Sequence, residues 1–399
     1  MIGHHRGGPS IMSDAPLRIL HYVPTTRFSV GGTVRAAMDI CSVLARRGHH
    51  VTWLTADATD VPEDWNGETD GTPFAVETAP LRRLGRLDRA SLELAARLVE
   101  QVDVVHIHAL WCLSNPQLAA VCHRCQTPTV LSIHGMLDDW SMAVRGTKKK
   151  LFLRTVIRPM IARASAMLAT AEEERRQATK WLPHDPVVIP LVMDMAPYDR
   201  LPGPSLARER FGEGGRPKVL FLSRVHEKKS IETLIEAVAI LRDRSIDVRL
   251  LIAGTGDDRY LAAMQRLAEA KDVDDRTEFL GMVVGDLKLS LYEMADVFAL
   301  ATQQENFGLV YPEAMLCSTP VITTRGTDIW RELEEAGMSI ADRTPVAFAD
   351  GIQALLEDHG ALEAKGRRGR EYVQNWLAPN RIAEQYESLY RTSSATARS

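Results

Sequence analysis

The feature that most constrains this chain is an alternation of short apolar runs of strand length with stretches of helical periodicity, carried through two halves. Apolar runs joined by helix-length connections are what a parallel sheet of βαβ units requires, because its strands are covered on both faces. In the first half the runs are 17–23 (LRILHYV), 50–56, 102–109, 128–135 and 166–170, with a helix predicted from about Thr33 to Arg47 after a Gly-Gly loop. The pattern restarts at 218–225 (KVLFLSRV) and continues through 248–254, 277–283, 295–302 and 319–324. Asp57–Pro80, rich in Pro, Gly, Asp and Thr, reads as loop or irregular strand. Pro197–Pro217 is Pro/Gly-rich and predicts the boundary between the halves. The expected fold class is α/β, with two doubly wound, Rossmann-like domains over 17–196 and 197–375 facing a central cleft. Disordered segments are expected at 1–16 and 392–399.

Composition narrows the function classes. Lys+Arg is 48 against Asp+Glu 52, and so balanced a charge argues against a nucleic-acid binder. No apolar run reaches the roughly 20 residues of a membrane span, and the N-terminus lacks the apolar stretch of a secretory signal. A cytoplasmic protein is expected. Five cysteines at irregular spacing make a poor disulfide framework. Cys122 and Cys125 form a lone C-x-x-C, read as two partly buried thiols with no metal, and Cys41, Cys112 and Cys317 read as core.

Two constellations carry chemistry. ENFGLVYPEAML (305–316) follows the run ADVFALAT, which puts Glu305 on a loop at a strand's C-terminal end and Glu313 on the first turns of a helix starting near Leu309. Amides around Gly308 and Leu309 would face an anion there, and two carboxylates beside an anion site suit a ligand with phosphates and sugar hydroxyls. The plainer reading is a capped helix with a dipole-stabilised Glu. LSRVHEKKS (222–230) carries Arg224 and Lys229 across a strand-to-helix turn, two cations able to neutralise a diphosphate leaving group. Lys228 is a rival for Lys229, and a solvated charged turn is the alternative for the whole run.

Taken in order, Arg…Lys, Glu-Asn-Phe-Gly-x(4)-Glu-Ala-Met and STPVITTRG resemble the donor half of a family-four retaining glycosyltransferase of the GT-B fold (glycosyl transferases group 1). SVGGTVRAAMDICSVLARRGHHVTWLTA is similar to that family's N-terminal Gly-Gly loop and helix, and IHGMLDDW to a segment whose His faces the donor sugar. The resemblance covers roughly Leu17 to Tyr390. It implies that Arg224 and Lys229 bind the donor diphosphate, aided by the amides of Gly31 and Gly32 in the first half and of Gly308 and Leu309 in the second, and that Asn306 and Phe307 beside them are donor-binding too. It implies further that Glu313 holds the ribose, Glu305 the transferred sugar, Met282 and Val283 the base, and that His134 lies near the anomeric carbon. A helix over 376–391 would cross back to the first domain. No metal and no cofactor beyond the nucleotide-sugar donor is implied, and the acceptor would be a glycan or a lipid-linked molecule in surface polysaccharide or glycolipid assembly. Ser230 and Ser318 stand where the family often has glycine, and LVMDM (191–195) replaces its usual Asn-Gly-Val-Asp.

Other signals read as structural. GTG (254–256) lacks the third glycine of a dinucleotide fingerprint, and DVDD (272–275) reads as solvated loop. Of His106 and His108, one is expected to face the cleft and one the core. From Trp140 to Ala171 there is no Asp or Glu, while 145–163 holds seven Lys and Arg residues beside a stripe of Leu153, Ile157, Met160 and Ala164. That pattern suits peripheral contact with an anionic membrane or, equally, a basic surface over a core-facing stripe. Against a transferase stand a nucleotide-sugar epimerase or hydrolase on the same fold and a non-catalytic sugar-nucleotide binder. A glycosidase using Glu305 and Glu313 would leave the phosphate-binding cations without a purpose.

Overall fold

The computed structural model describes residues 15–212 and 214–398. The N-terminal segment predicted to be disordered lies outside the described residues, apart from Ala15 and Pro16. The chain forms two compact units. The first runs through Ala169, with Ala178–Ile189 and the chain from Asn380; the second comprises Thr170–Gln177 and Pro190–Pro379.

In the first unit β1 (Arg18–Tyr22), β2 (His50–Thr55), β3 (Phe74–Glu77), β4 (Val104–His108), β5 (Thr129–Ser132), β6 (Ala166–Ala169) and β7 (Val187–Val188) form one sheet. Its order is β3-β2-β1-β4-β5-β6-β7, and every pairing is parallel. Apolar runs became central strands because both faces are covered: β4 and β5 are buried at every position. The second unit has β8 (Lys218–Leu222), β9 (Arg249–Ala253), β10 (Thr277–Gly281), β11 (Val297–Leu300), β12 (Val321–Thr323) and β13 (Ser339–Ile340), in the order β10-β9-β8-β11-β12-β13. In each sheet the strand order reverses at its first strand, between β1 and β4 and between β8 and β11. Such switch points are where open α/β sheets bind ligands, beyond the strands' C-terminal ends.

The structure departs from the sequence reading in several places. The chain changes unit at Ile189–Pro190, before the Pro/Gly-rich stretch, which belongs to the second unit. Gly203 N donates to Glu293 and Ala207 N to Ser290 Oγ, so the stretch is packed and bonded. The last helix, Pro379–Arg398, runs through the segment predicted as a disordered tail from 392. Ser394 Oγ is within hydrogen-bond distance of both the Tyr390 and the Asp103 carbonyls, 2.9 Å each, which ties that end to the start of β4. His106 and His108 are both buried, with rings stacked at 4.2 Å. Residues two apart on a strand share a face, so the pair could not divide between two sides. Cys41, Cys122 and Cys317 are buried and Cys112 and Cys125 half-buried, all of them free thiols.

Candidate active site

In the second unit the loops after β8 and β11 meet at the switch point. Past β8 the chain holds Arg224 exposed, makes a short 3-10 turn at Glu227–Lys229, and enters the helix Ile231–Asp243 through Ser230. Ser230 adopts φ 50°, a left-handed conformation that glycine takes with less strain. Its loop is nonetheless closed by bonds from Lys229 N to His226 O and from Ser230 N to Glu227 O. Lys229 is buried and forms an ion pair with Glu305, so of the two lysines it is this one that the loop turns inward. Lys228 gives its carbonyl to Gln303 N and Thr302 Oγ1, joining the β8 loop to the β11 loop. Burial and the charges of Lys228 and Arg224 pull the Lys229 ammonium down, to about 7, while the Glu305 carboxylate against it favours the charged form.

The GTG segment has a structural use. Gly254 has φ 135°, and a Cβ there would stand 1.9 Å from Ser223 O; at Gly256 one would stand 1.8 Å from Val225 O. Only glycine lets the β9 loop approach the backbone on either side of Arg224, where Val225 N donates to Thr255 O at 2.9 Å.

Glu305 is fixed through its backbone, donating to Gly326 O at 2.7 Å and accepting from Asp328 N at 2.9 Å. Asp328, buried, also takes hydrogen bonds from Asn306, Gln304 and Gln177. Phe307 is buried and stacks on Trp376 at 5.4 Å, a packing role within the loop. Gly308 has φ 66°, and a Cβ there would sit 2.8 Å from Glu305 Cγ and 2.6 Å from Tyr311. The helix Val310–Leu316 then begins, with Leu309 as its N-cap and Glu313 in its first turn. Glu313 accepts from Lys288 Nζ at 2.9 Å and Tyr292 OH at 3.1 Å, both on the helix Gly285–Met294. Met282, exposed, and Val283, buried, lie between β10 and that helix. Sequence reasoning missed Lys288, Tyr292 and Asp328, whose partners are set by packing between separate helices and loops.

In the first unit, Gly31 takes φ 129° and caps the helix Gly32–Arg46, where its missing side chain leaves open space. His134 follows β5 with φ 51° and is partly buried. Its Nε2 lies 3.0 Å from His108 Nδ1, and His108 Nε2 lies 3.0 Å from His21 Nδ1. His21 is a further residue the sequence reading passed over; its one signal is a histidine inside an otherwise apolar strand. His21, His106 and His108 bring one ring nitrogen each within 4.8 Å of one another, a spacing that could hold a metal. His106, however, has Tyr390 OH on Nδ1 and Ser132 Oγ on Nε2, 2.7 Å each, and His108 has both nitrogens on other histidines. Ligation by all three would break several of these bonds.

The basic segment is also resolved in kind. Leu153, Ile157, Met160 and Ile161 belong to the core of the first unit, so the apolar stripe faces inward. Lys149 Nζ bonds Ser141 and lies over Trp111, whereas Lys148, Lys150, Arg154 and Arg158 are exposed beside Val144 and Leu151. Among the described residues no helix is long and apolar enough to cross a membrane.

Comparison with known proteins agrees with this layout along the chain. Residues 30–196 match the family described as Glycosyltransferase Family 4, and residues 216–358 the one described as Glycosyl transferases group 1. The chain is 26% identical over 380 residues to the D-inositol 3-phosphate glycosyltransferase of Kineococcus radiotolerans, covering 87% of each. It is 25% identical over 379 residues to the N-acetyl-alpha-D-glucosaminyl L-malate synthase of Bacillus anthracis, covering 91% of this chain and 94% of that one. Among solved structures it resembles the Anabaena protein HepE in complex with UDP and glucose, with a TM-score of 0.75 at 17% identity over 93% of this chain and 98% of that one. With both sheets, their switch-point loops and both family matches in agreement, this chain belongs to family 4 of the glycosyltransferases and has their GT-B fold.

Proposed function

We propose that this glycosyltransferase moves a sugar from a nucleotide-diphosphate sugar to a glycan or lipid-linked acceptor, with retention at the anomeric carbon, in surface polysaccharide or glycolipid assembly. The observation that carries the reading is the arrangement of charges over one switch point. Arg224 and Lys229 follow β8, Glu305 follows β11, and Glu313 is held ready by Lys288 and Tyr292. A nucleotide-diphosphate sugar presents ribose hydroxyls, two phosphates and a sugar in that order, which suits Glu313, the two cations and Glu305 in turn. Gly31, Gly32, Gly308 and Leu309 offer amides to the phosphates, Met282 and Val283 meet the base, Asn306 and Phe307 fix the loop, and His134 meets the sugar near its anomeric carbon.

When the bond from that carbon to the diphosphate oxygen breaks, its electron pair stays on the oxygen. Arg224 and Lys229 face the charge that grows there, and stabilising it lowers the barrier directly. With two cations over the leaving group, this reading needs no metal for the step. The exposed Lys148, Lys150, Arg154 and Arg158 offer a surface to an anionic acceptor at the inner face of a membrane.

The test is incubation with nucleotide sugars labelled in the sugar, together with a membrane-lipid extract. Label should enter the acceptor fraction with the donor's anomeric configuration, read by NMR, and should do so in excess EDTA. Label released as free sugar without any acceptor would make the protein a hydrolase, and binding without turnover a non-catalytic binder. Activity lost on chelation and restored by Mg²⁺ would overturn the metal-free step.

A further inference from the structure

At the switch point of the first sheet, three imidazoles are joined end to end: His21 on β1, His108 on β4 and His134 after β5. The two ring-to-ring contacts are 3.0 Å each and run from Nδ1 of His21 to Nε2 of His108 and from Nδ1 of His108 to Nε2 of His134. The rings stack at centroid distances of 5.3 Å on either side of His108. We propose that His108 and His21 are positioning residues for His134, holding it in one tautomer with its hydrogen on Nδ1, the ring atom left to meet a sugar oxygen. The inference rests on the reading of His134 as a contact of the donor sugar.

The placement of the hydrogen follows from counting. Burial lowers His21 to about 3 and His134 to about 4, and takes His108 and His106 well below the ordinary histidine value, so all are neutral at pH 7. Three neutral rings carry three ring hydrogens, and two of these lie in the ring-to-ring bonds. The third belongs at one end of the file, on His21 Nε2 or on His134 Nδ1. His21 Nε2 is buried and has no hydrogen-bond partner. A buried N–H without an acceptor is the rarer kind of orphan, so the bare nitrogen falls at His21 and every hydrogen points toward His134.

The surroundings keep the file in this state. His106 closes one side, its face on His108 at 4.2 Å and its own nitrogens on Tyr390 OH and Ser132 Oγ. Tyr390 and Tyr386 of the last helix pack against His106, and Tyr390 also meets the edge of His21. His134 then donates one hydrogen bond and offers no basic nitrogen to the reaction, which leaves proton removal to another group. Direction is set from the buried end, where His21 is packed by His106, His108 and Tyr390.

The test is two-bond ¹⁵N–¹H correlation on the full chain labelled with ¹⁵N-histidine at pH 7, with His134 assigned by its absence in His134→Gln. His134 is expected as the Nδ1–H tautomer in the wild type. In His108→Phe, which keeps an aromatic ring and removes both nitrogens, it should move to the Nε2–H form that a free imidazole favours. Turnover should fall there by up to about a hundredfold with the donor KM little changed. Nε2–H in the wild type, an unmoved tautomer in His108→Phe, or one zinc per purified chain that His21→Leu abolishes would each overturn the proposal. The wild-type spectrum decides the hydrogen's position even where His108→Phe does not fold. A tautomer that responds while turnover does not would uphold the file and overturn the sugar contact of His134, so the two failures are distinguishable.

Discussion

Lys229 and Arg224 differ in what surrounds them, and the difference is testable. If each is a cation facing the leaving group, as proposed, its loss costs about 2.7–4 kcal/mol, so Arg224→Ala or Lys229→Ala should lower turnover by two to three orders of magnitude. Wild-type turnover in the Lys229 variant would move the role to Lys228. Lys229 also predicts a pH effect. Burial and like charges lower its pKa and Glu305 opposes them, so the free enzyme should lose the charged form as pH rises above about 7. kcat/KM should therefore fall on the alkaline side, and the limb in kcat should lie higher, because a bound diphosphate favours the ammonium. A limb unaltered in Lys229→Arg would assign it to another group. The two glutamates should separate by kinetics. A ribose contact persists from ground to transition state, so Glu313→Gln should raise the donor KM, whereas Glu305→Gln should keep nucleotide affinity and lose turnover. Calorimetry beside steady-state rates reads both, and the reverse pattern would exchange the roles. The placement of Arg224, Lys229 and Glu305 beyond strand ends, and of Glu313 on the helix that follows, was legible in the sequence because charges bunched after apolar runs mark strand ends. Lys288 was not, since its bond to Glu313 depends on how two helices pack.

At the scale of elements, the central strands and the edge strand β10 were readable, and three short edge strands were not. β3, β7 and β13 lie at or beside sheet edges, are two to four residues long and have no fully buried position, so they lack the apolar run that marks a strand. Loop conformation was equally hidden, yet it is where substitutions should tell most. Ser318 ends the helix Val310–Leu316 at φ 59°, and a non-glycine residue there costs roughly 1–2 kcal/mol, partly offset by glycine's greater chain entropy of about 0.5–1 kcal/mol. Ser318→Gly should thus stabilise the protein by up to about 1 kcal/mol, read as a raised thermal midpoint. Gly254→Ala should do the opposite by about 1–3 kcal/mol, since its Cβ would meet Ser223 O, and it should raise the donor KM by displacing Arg224. An unchanged KM in a destabilised Gly254→Ala would detach that loop from donor binding.

For the whole molecule, the proposed meeting of the first unit's basic face with an anionic acceptor is testable on vesicles. Neutralising Lys148, Lys150, Arg154 and Arg158 together should abolish pelleting with phosphatidylglycerol vesicles, at ~1 kcal/mol per basic residue near such a surface. A wild type that does not pellet would reserve the face for soluble anions. The division of the chain has a consequence for how the protein is made. Because the first unit takes in Asn380 onward, its packing is complete only when the last helix arrives, with Tyr390 on His106 and Glu387 on Arg47 and His49. A ribosome synthesising this chain releases the second unit's residues before it supplies the final piece of the first. The nascent N-terminal half must therefore wait, its histidine face uncovered, and a premature stop near the end would harm the half that was made earliest.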